Sequence, residues 1–144
     1  MKPGTEEFLA EKRIAVIGVS RTRGMGNTIF RSLAERGYEV FPVNSLTDSV
    51  DGQRCYRSLA ELPSPVGGVV TVVRPDQTLR IIEDCVQKGI KRVWMQQGSE
   101  SPEAIDRAES GGMSVVHHAC ILMYAQPTSV HRFHRWISKM LGKY

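Results

Sequence analysis

The sequence predicts an α/β fold, a doubly wound parallel sheet of about five strands in a three-layer α/β/α arrangement. Three observations predict it. Short β-branched runs alternate with segments of helical periodicity, and the strand runs are apolar at successive positions rather than at alternate ones. Three of the helical segments end at a glycine followed almost at once by a strand, in ERGYEV, QKGIKRV and SGGMSVV. Strands buried on both faces read as continuous apolar runs, and their alternation with helices implies a parallel sheet covered on both sides.

The elements follow in order. RIAVIGV (13–19) is the first strand, and a glycine-rich turn leads into NTIFRSLAERG, where Ile29, Phe30, Leu33 and Ala34 share one helical face before Gly37. YEVFPV (38–43) is the second strand and GGVVTVV (67–73) the third. PDQTLRIIEDCVQKG places Leu79, Ile82, Cys85 and Val86 at helical spacing after a proline suited to a first turn. KRVWMQ (91–96) and MSVVHH (113–118) are the fourth and fifth strands, separated by a helix over 101–111 with Ser101 as its N-cap before Pro102. The polar segment 45–65 is expected to hold a loop, a short pairing segment near Cys55 and one helical turn near SLAEL. From Val130 onward, Phe133, Ile137, Met140 and Leu141 form an apolar stripe, which predicts a terminal amphipathic helix at about 128–141, placed to pack on the sheet or to close a homodimer.

With 144 residues, 41% hydrophobic and 24% charged, residues 1–144 read as a single ordinary globular domain. The longest apolar runs fall short of the roughly 18 to 20 residues that span a bilayer, and MKPGTEEFLAEKR lacks the apolar centre of a secretory signal, so a cytoplasmic protein is expected. Cys55, Cys85 and Cys120 are odd in number and widely spaced, which suits reduced thiols better than a disulfide framework. The net charge of +4 favours anionic ligands, but Lys and Arg are spread along the chain and aromatic residues are only 7%, a pattern that does not suit nucleic acid.

In a parallel sheet, ligands bind beyond the carboxyl ends of the strands. The first of these ends carries Ser20, Arg21, Thr22, Arg23, Gly24 and Gly26 directly before a helix whose cap is expected at Asn27 or Thr28. Free N–H groups at a helix start together with two guanidinium groups make an anion site suited to a diphosphate. The P-loop spacing fails, because the sixth residue counted from Gly18 is Arg23 and no Lys-Ser follows. The dinucleotide fingerprint fails too: Gly18 is followed by Val19 and Ser20, and the second strand ends in Asn44 instead of an acid for ribose hydroxyls.

Five blocks in order, IAVIGVSRTRGMGNTIFRSLAERGYEVFPVNS, VVTVVRP, VWMQQGSES and HHACILMY among them, resemble the CoA-binding domain family, small proteins similar to the N-terminal domain of the succinyl-CoA synthetase α subunit. The resemblance covers about residues 8–125 and implies a Rossmann-like fold holding coenzyme A across the strand ends. Carried over, the first-loop glycine and serine fall on Gly18 and Ser20, and the second-strand motif on Pro42, Val43 and Asn44, with Ser45 departing from the family's proline. The third strand end falls on Val73, Arg74 and Pro75, the fourth on Gln97 and Gly98, and Cys120 matches a frequent cysteine.

Coenzyme A or an acyl-CoA also suits the residues themselves. Its diphosphate meets the Ser20 loop, its ribose phosphate one of Arg21, Arg23 or Arg74, and its adenine Pro42, Val43 and Pro75. No paired carboxylates stand at a strand end and no GxSxG elbow is present, so the chain reads as a non-catalytic, accessory or regulatory binder. The alternative is an NAD(P)-binding oxidoreductase or redox sensor on the same fold. His117, His118 and Cys120 with His131 and His134 do not have the spacing of a zinc site, so no metal is expected.

Overall fold

The structure, a computed structural model, describes residues 4–124 apart from Thr22 and Ser64. The expected terminal helix, with its role in a homodimer, lies outside the described residues.

Among the described residues seven strands form, β1 (Arg13–Ile17), β2 (Glu39–Val43), β3 (Ser49–Val50), β4 (Gln53–Arg54), β5 (Gly68–Thr71), β6 (Arg92–Gln96) and β7 (Ser114–Ala119). The α-helices among the described residues are α1 (Thr5–Leu9), α2 (Met25–Glu35), α3 (Pro75–Lys88) and α4 (Pro102–Ser110). Five of the strands build one sheet in the order β2-β1-β5-β6-β7, every neighbouring pair parallel. This is the Rossmann-like, doubly wound arrangement. The short β3–β4 hairpin and a 3-10 turn over Leu59–Glu61 occupy the polar segment, with Tyr56 bridging to Val43 at the edge of β2.

Alternation along the strands, broken only toward the end of β7, divides the core in two. Ile14, Val16, Val40, Val70, Trp94 and Val116 face α1, α2 and the 3-10 turn after β7, where Phe8, Ile29, Phe30, Leu33 and Ile121 cover them. Ala15, Phe41, Val43, Val69, Val93 and Met95 face α3 and α4, covered by Ile82, Cys85, Ala104 and Ala108. Both faces are therefore dry, which is why the strand sequences are apolar without interruption.

Helix α1 has no counterpart in the sequence reading. It carries Phe8 onto Trp94, ring centroids 5.6 Å apart in an edge-on contact. Two expected core positions turn outward. Ala34 is exposed, because the stripe of α2 is set by Ile29, Phe30 and Leu33 and leaves Ala34 on its solvent flank. Leu79 is 36% exposed, and the inward position at that turn belongs to the fully buried Thr78. Ser101 caps α4 as expected, accepting a hydrogen bond from the Ala104 N–H at 3.1 Å.

Candidate functional site

The chain leaves β1 toward β2 on one side and returns to β5 on the other, so the strand order reverses between β1 and β5. A crevice opens at such a reversal, beyond the carboxyl ends of the strands. The loops that border it follow β1 (residues 18–24) and β5 (residues 72–74).

Two glycines set how closely these loops approach. Gly18 has φ +124°, and a Cβ there would lie 2.1 Å from the Val72 carbonyl oxygen. Gly26 sits in the first turn of α2, where a Cβ would lie 2.4 Å from the Gly18 carbonyl oxygen. Helix α2 thus rests directly on the turn that ends β1, and that turn rests on the end of β5.

Helix α2 starts at Met25, with Gly24 as its N-cap, three to four residues earlier than the cap expected at Asn27 or Thr28. Asn27 is therefore inside the helix, and its fully buried side chain has a different task. Its Oδ1 accepts the Ser20 N–H at 2.7 Å and its Nδ2 donates to the Ser20 carbonyl at 2.9 Å. The Ser20 hydroxyl turns back on the loop, donating to the Arg23 carbonyl and accepting the Arg23 N–H. From β2, Asn44 Nδ2 donates to the Val19 carbonyl at 2.5 Å while its Oδ1 accepts the Leu46 N–H at 2.7 Å. The loop is rigidly held by side-chain amides, and Asn44 has no acidic group to offer a ribose.

What remains for a ligand is the outer face of this loop. The first N–H groups of α2 have no intrahelical acceptor. The side chains of Arg21 and Arg23 are exposed and pair with no described residue. Arg74, the N-cap residue of α3, is 77% exposed at its side chain and pairs with Asp76 at 3.2 Å. An ion pair so exposed contributes little and yields readily to a phosphate.

Beyond β5 the rim continues through groups that sequence reasoning did not single out. Ser99 Oγ donates to the Thr71 carbonyl at 3.0 Å and lies 2.9 Å from the Thr71 hydroxyl. Thr78 donates to the Ser99 carbonyl at 2.5 Å. These buried hydroxyls fasten α3 and the end of β5 to the β6–α4 loop, and only burial distinguishes them from ordinary loop hydroxyls. Gln96, 4% exposed, donates through Nε2 to Cys120 Sγ at 3.0 Å and accepts the Ile121 N–H at 3.0 Å. Cys120 is half-buried at the end of β7.

The sequence-derived residues fall into two groups. Gly18, Ser20, Arg21, Arg23 and Gly24 lie in the β1–α2 loop with Gly26 and Asn27 beneath it in the first turn of α2, and Asn44, Val73, Arg74, Pro75, Gln97, Gly98 and Cys120 stand at the other strand ends. Pro42 and Val43 are buried within β2, Val43 as part of the core, so the apolar surface open to an adenine is that of Val73 and Pro75. Two hollows of about 380 and 420 Å³, sharing Pro65 and Val66, lie at the opposite edge of the sheet beside the starts of β1, β5 and β6. Neither touches the rim. Among the described residues, no cluster of His, Cys, Asp and Glu is disposed to hold a metal ion, and no helix is long and apolar enough to cross a membrane.

Residues 12–126 match the CoA binding domain family. The chain belongs to this family. Within it, the uncharacterized protein YneT of Bacillus subtilis is 31% identical over 111 residues, covering 76% of this chain and 82% of that protein. The α subunit of ADP-forming acetate-CoA ligase II of Pyrococcus furiosus is 29% identical over 126 residues, 79% of this chain but only 28% of the subunit. A solved structure of a hypothetical protein from Pyrococcus horikoshii superposes with a TM-score of 0.77 at 32% identity, over 83% of this chain and 86% of that one. The family match spans all five strand ends described above.

Proposed function

We propose that this protein binds coenzyme A, free or acylated, along the carboxyl ends of β1, β5 and β6. The observation that carries the reading is the β1–α2 loop. It is an anion site built on a close glycine contact and clamped by Asn27 and Asn44, with two guanidinium groups at its rim that pair with no described residue. Membership of the CoA binding domain family supports the same ligand.

The donors present fit it. The N–H groups at the start of α2, with Arg21 and Arg23, would hold a diphosphate. Arg74, on releasing Asp76, would meet the separate ribose phosphate, and Val73 with Pro75 would flank the adenine. Rigidity matters as much as charge here, since a loop already fixed by Asn27 loses little entropy when an anion arrives. The activity of the larger ligases is not carried over with the fold.

Calorimetry with CoA, acetyl-CoA, NAD, NADP and ATP tests the proposal. CoA or acetyl-CoA is expected to bind with the highest affinity. Tight binding of NAD with no heat from CoA would overturn it in favour of the dinucleotide reading.

A further inference from the structure

At the outer end of the rim, β7 departs from regular pairing. Trp94 pairs with Val116, but Gln96 pairs with Ala119, so His117 and His118 together oppose the single residue Met95. This is a β-bulge, and His118 takes the left-handed conformation at φ +56°. Consecutive residues of a regular strand point to opposite faces. Here the bulge brings both imidazoles together, with Nδ1 of His117 2.6 Å from Nδ1 of His118.

Glu100 holds the arrangement from the β6–α4 loop. One carboxylate oxygen accepts the His118 N–H at 3.1 Å. The other accepts the Gly98 N–H at 3.0 Å and lies 3.9 Å from His118 Nε2. The Glu100 side chain is 12% exposed, whereas that of His118 is 60% exposed. With Nδ1 of His118 engaged by His117, Nε2 is the nitrogen left to take a proton, while Glu100, too far from Nε2 for a hydrogen bond, fixes the residue through its backbone N–H. Left-handed backbone in a non-glycine residue is strain of the kind found at functional sites. A bulge also protects an edge strand from pairing with another sheet, but that task requires neither the imidazoles nor the carboxylate.

We propose that His118, backed by Glu100 and His117, is the general base of a thioester hydrolysis acting on an acyl-CoA bound along the strand ends. The inference rests on the CoA-binding reading. From the end of β1 to the end of β7 is three strand spacings, roughly 14 Å, a distance the extended pantetheine arm bridges. In the step, His118 accepts a proton from water as the water oxygen bonds to the thioester carbonyl carbon. The carbon–sulfur bond then breaks and the proton passes to the departing thiolate, leaving a carboxylic acid and CoA. Gln97, whose backbone N–H donates to the Ala119 carbonyl at 3.2 Å, carries an exposed side-chain amide, the neutral donor this end of the rim offers to the carbonyl oxygen.

The experiment incubates the full chain with acetyl-CoA and follows acetate and CoA by mass spectrometry, alongside calorimetry with CoA. Turnover above the uncatalysed rate is expected, with kcat falling at least tenfold in His118→Asn and His118→Gly while KM stays within a fewfold. Both replacements suit the left-handed position, and circular dichroism melting checks that they fold. Added imidazole is expected to restore turnover to His118→Gly, which a purely structural histidine would not allow. CoA binding without turnover, or turnover unchanged in both variants, overturns this inference and leaves the binding reading standing. Absence of CoA binding overturns both.

Discussion

Single atoms decide the site's backbone. Alanine in place of glycine inside a helix ordinarily stabilises by about 1 kcal/mol. At Gly26 the added Cβ would meet the Gly18 carbonyl oxygen at 2.4 Å. Overpacking against backbone outweighs the propensity gain, so Gly26→Ala is expected to destabilise by on the order of 1–3 kcal/mol, measured by urea unfolding. Asn27→Leu keeps the volume but orphans the Ser20 N–H and carbonyl. It is expected to cost about 1–3 kcal/mol and to weaken CoA binding in calorimetry. The thiols separate by burial. Burial pushes the Cys85 thiol up to about 12 from an ordinary 9.0, and raises Cys55 as well. The folded state thus keeps the Cys85 proton at a pH where the unfolded chain has lost it. That contribution is complete below pH 9 and disappears as pH rises toward 12, and unfolding at graded alkaline pH would record the loss. In native protein Cys120 is expected to react first with a thiol reagent, while Cys85 reacts only on unfolding.

At the level of elements, the rim is stitched together by buried hydroxyls and amides rather than by apolar contact. Thr78→Val is nearly isosteric, yet it removes the donor to the Ser99 carbonyl between α3 and the β6–α4 loop. It is expected to cost about 1–3 kcal/mol, and a denaturation midpoint equal to that of the parent protein would contradict this role. The β3–β4 turn is attached differently. Arg31 of α2 grips Asp51 with two hydrogen bonds of 2.6 and 3.0 Å, which holds the Asp51 carboxyl below its ordinary value. This contact is present near neutral pH and is lost as pH falls below the ordinary carboxylate range, and its exposure keeps the contribution small.

For the whole molecule, the reversal of strand order between β1 and β5 places the loop after β1 and the start of α3 on one crevice. A ligand bound there stabilises the fold by mass action, about 2.7 kcal/mol at a hundredfold excess over Kd. Thermal melting of the native protein with CoA is expected to show that rise. The Arg21→Ala/Arg23→Ala double variant should show little of it at equal CoA, because both guanidinium groups stand exposed on the loop with no partner among the described residues. Binding is also expected to weaken with added salt, since both arginines are exposed and screened.

How much of this was legible depended on the range of the interaction. The fold class, the order of the five main strands and the Ser101 cap follow from local pattern, because periodicity, capping chemistry and glycine placement act over a few residues; the anion site proposed at residues 18–26 is read from the same local signals. The inward turn of Thr78 in place of Leu79, the burial of Pro42 and Val43, and the use of Asn27 as a clamp instead of a cap depend on partners distant in sequence. So does the pairing of His117 with His118. In the sequence they are neighbours that a regular strand would separate, and only the bulge opposite Met95, held from Glu100, brings their rings together. Local physics determined the main alternation of strand and helix and raised the expectation of an anion at the strand ends. The packing of strand on strand decided which side chains reach that crevice, because a one-residue shift in register moves a side chain from one face of the sheet to the other.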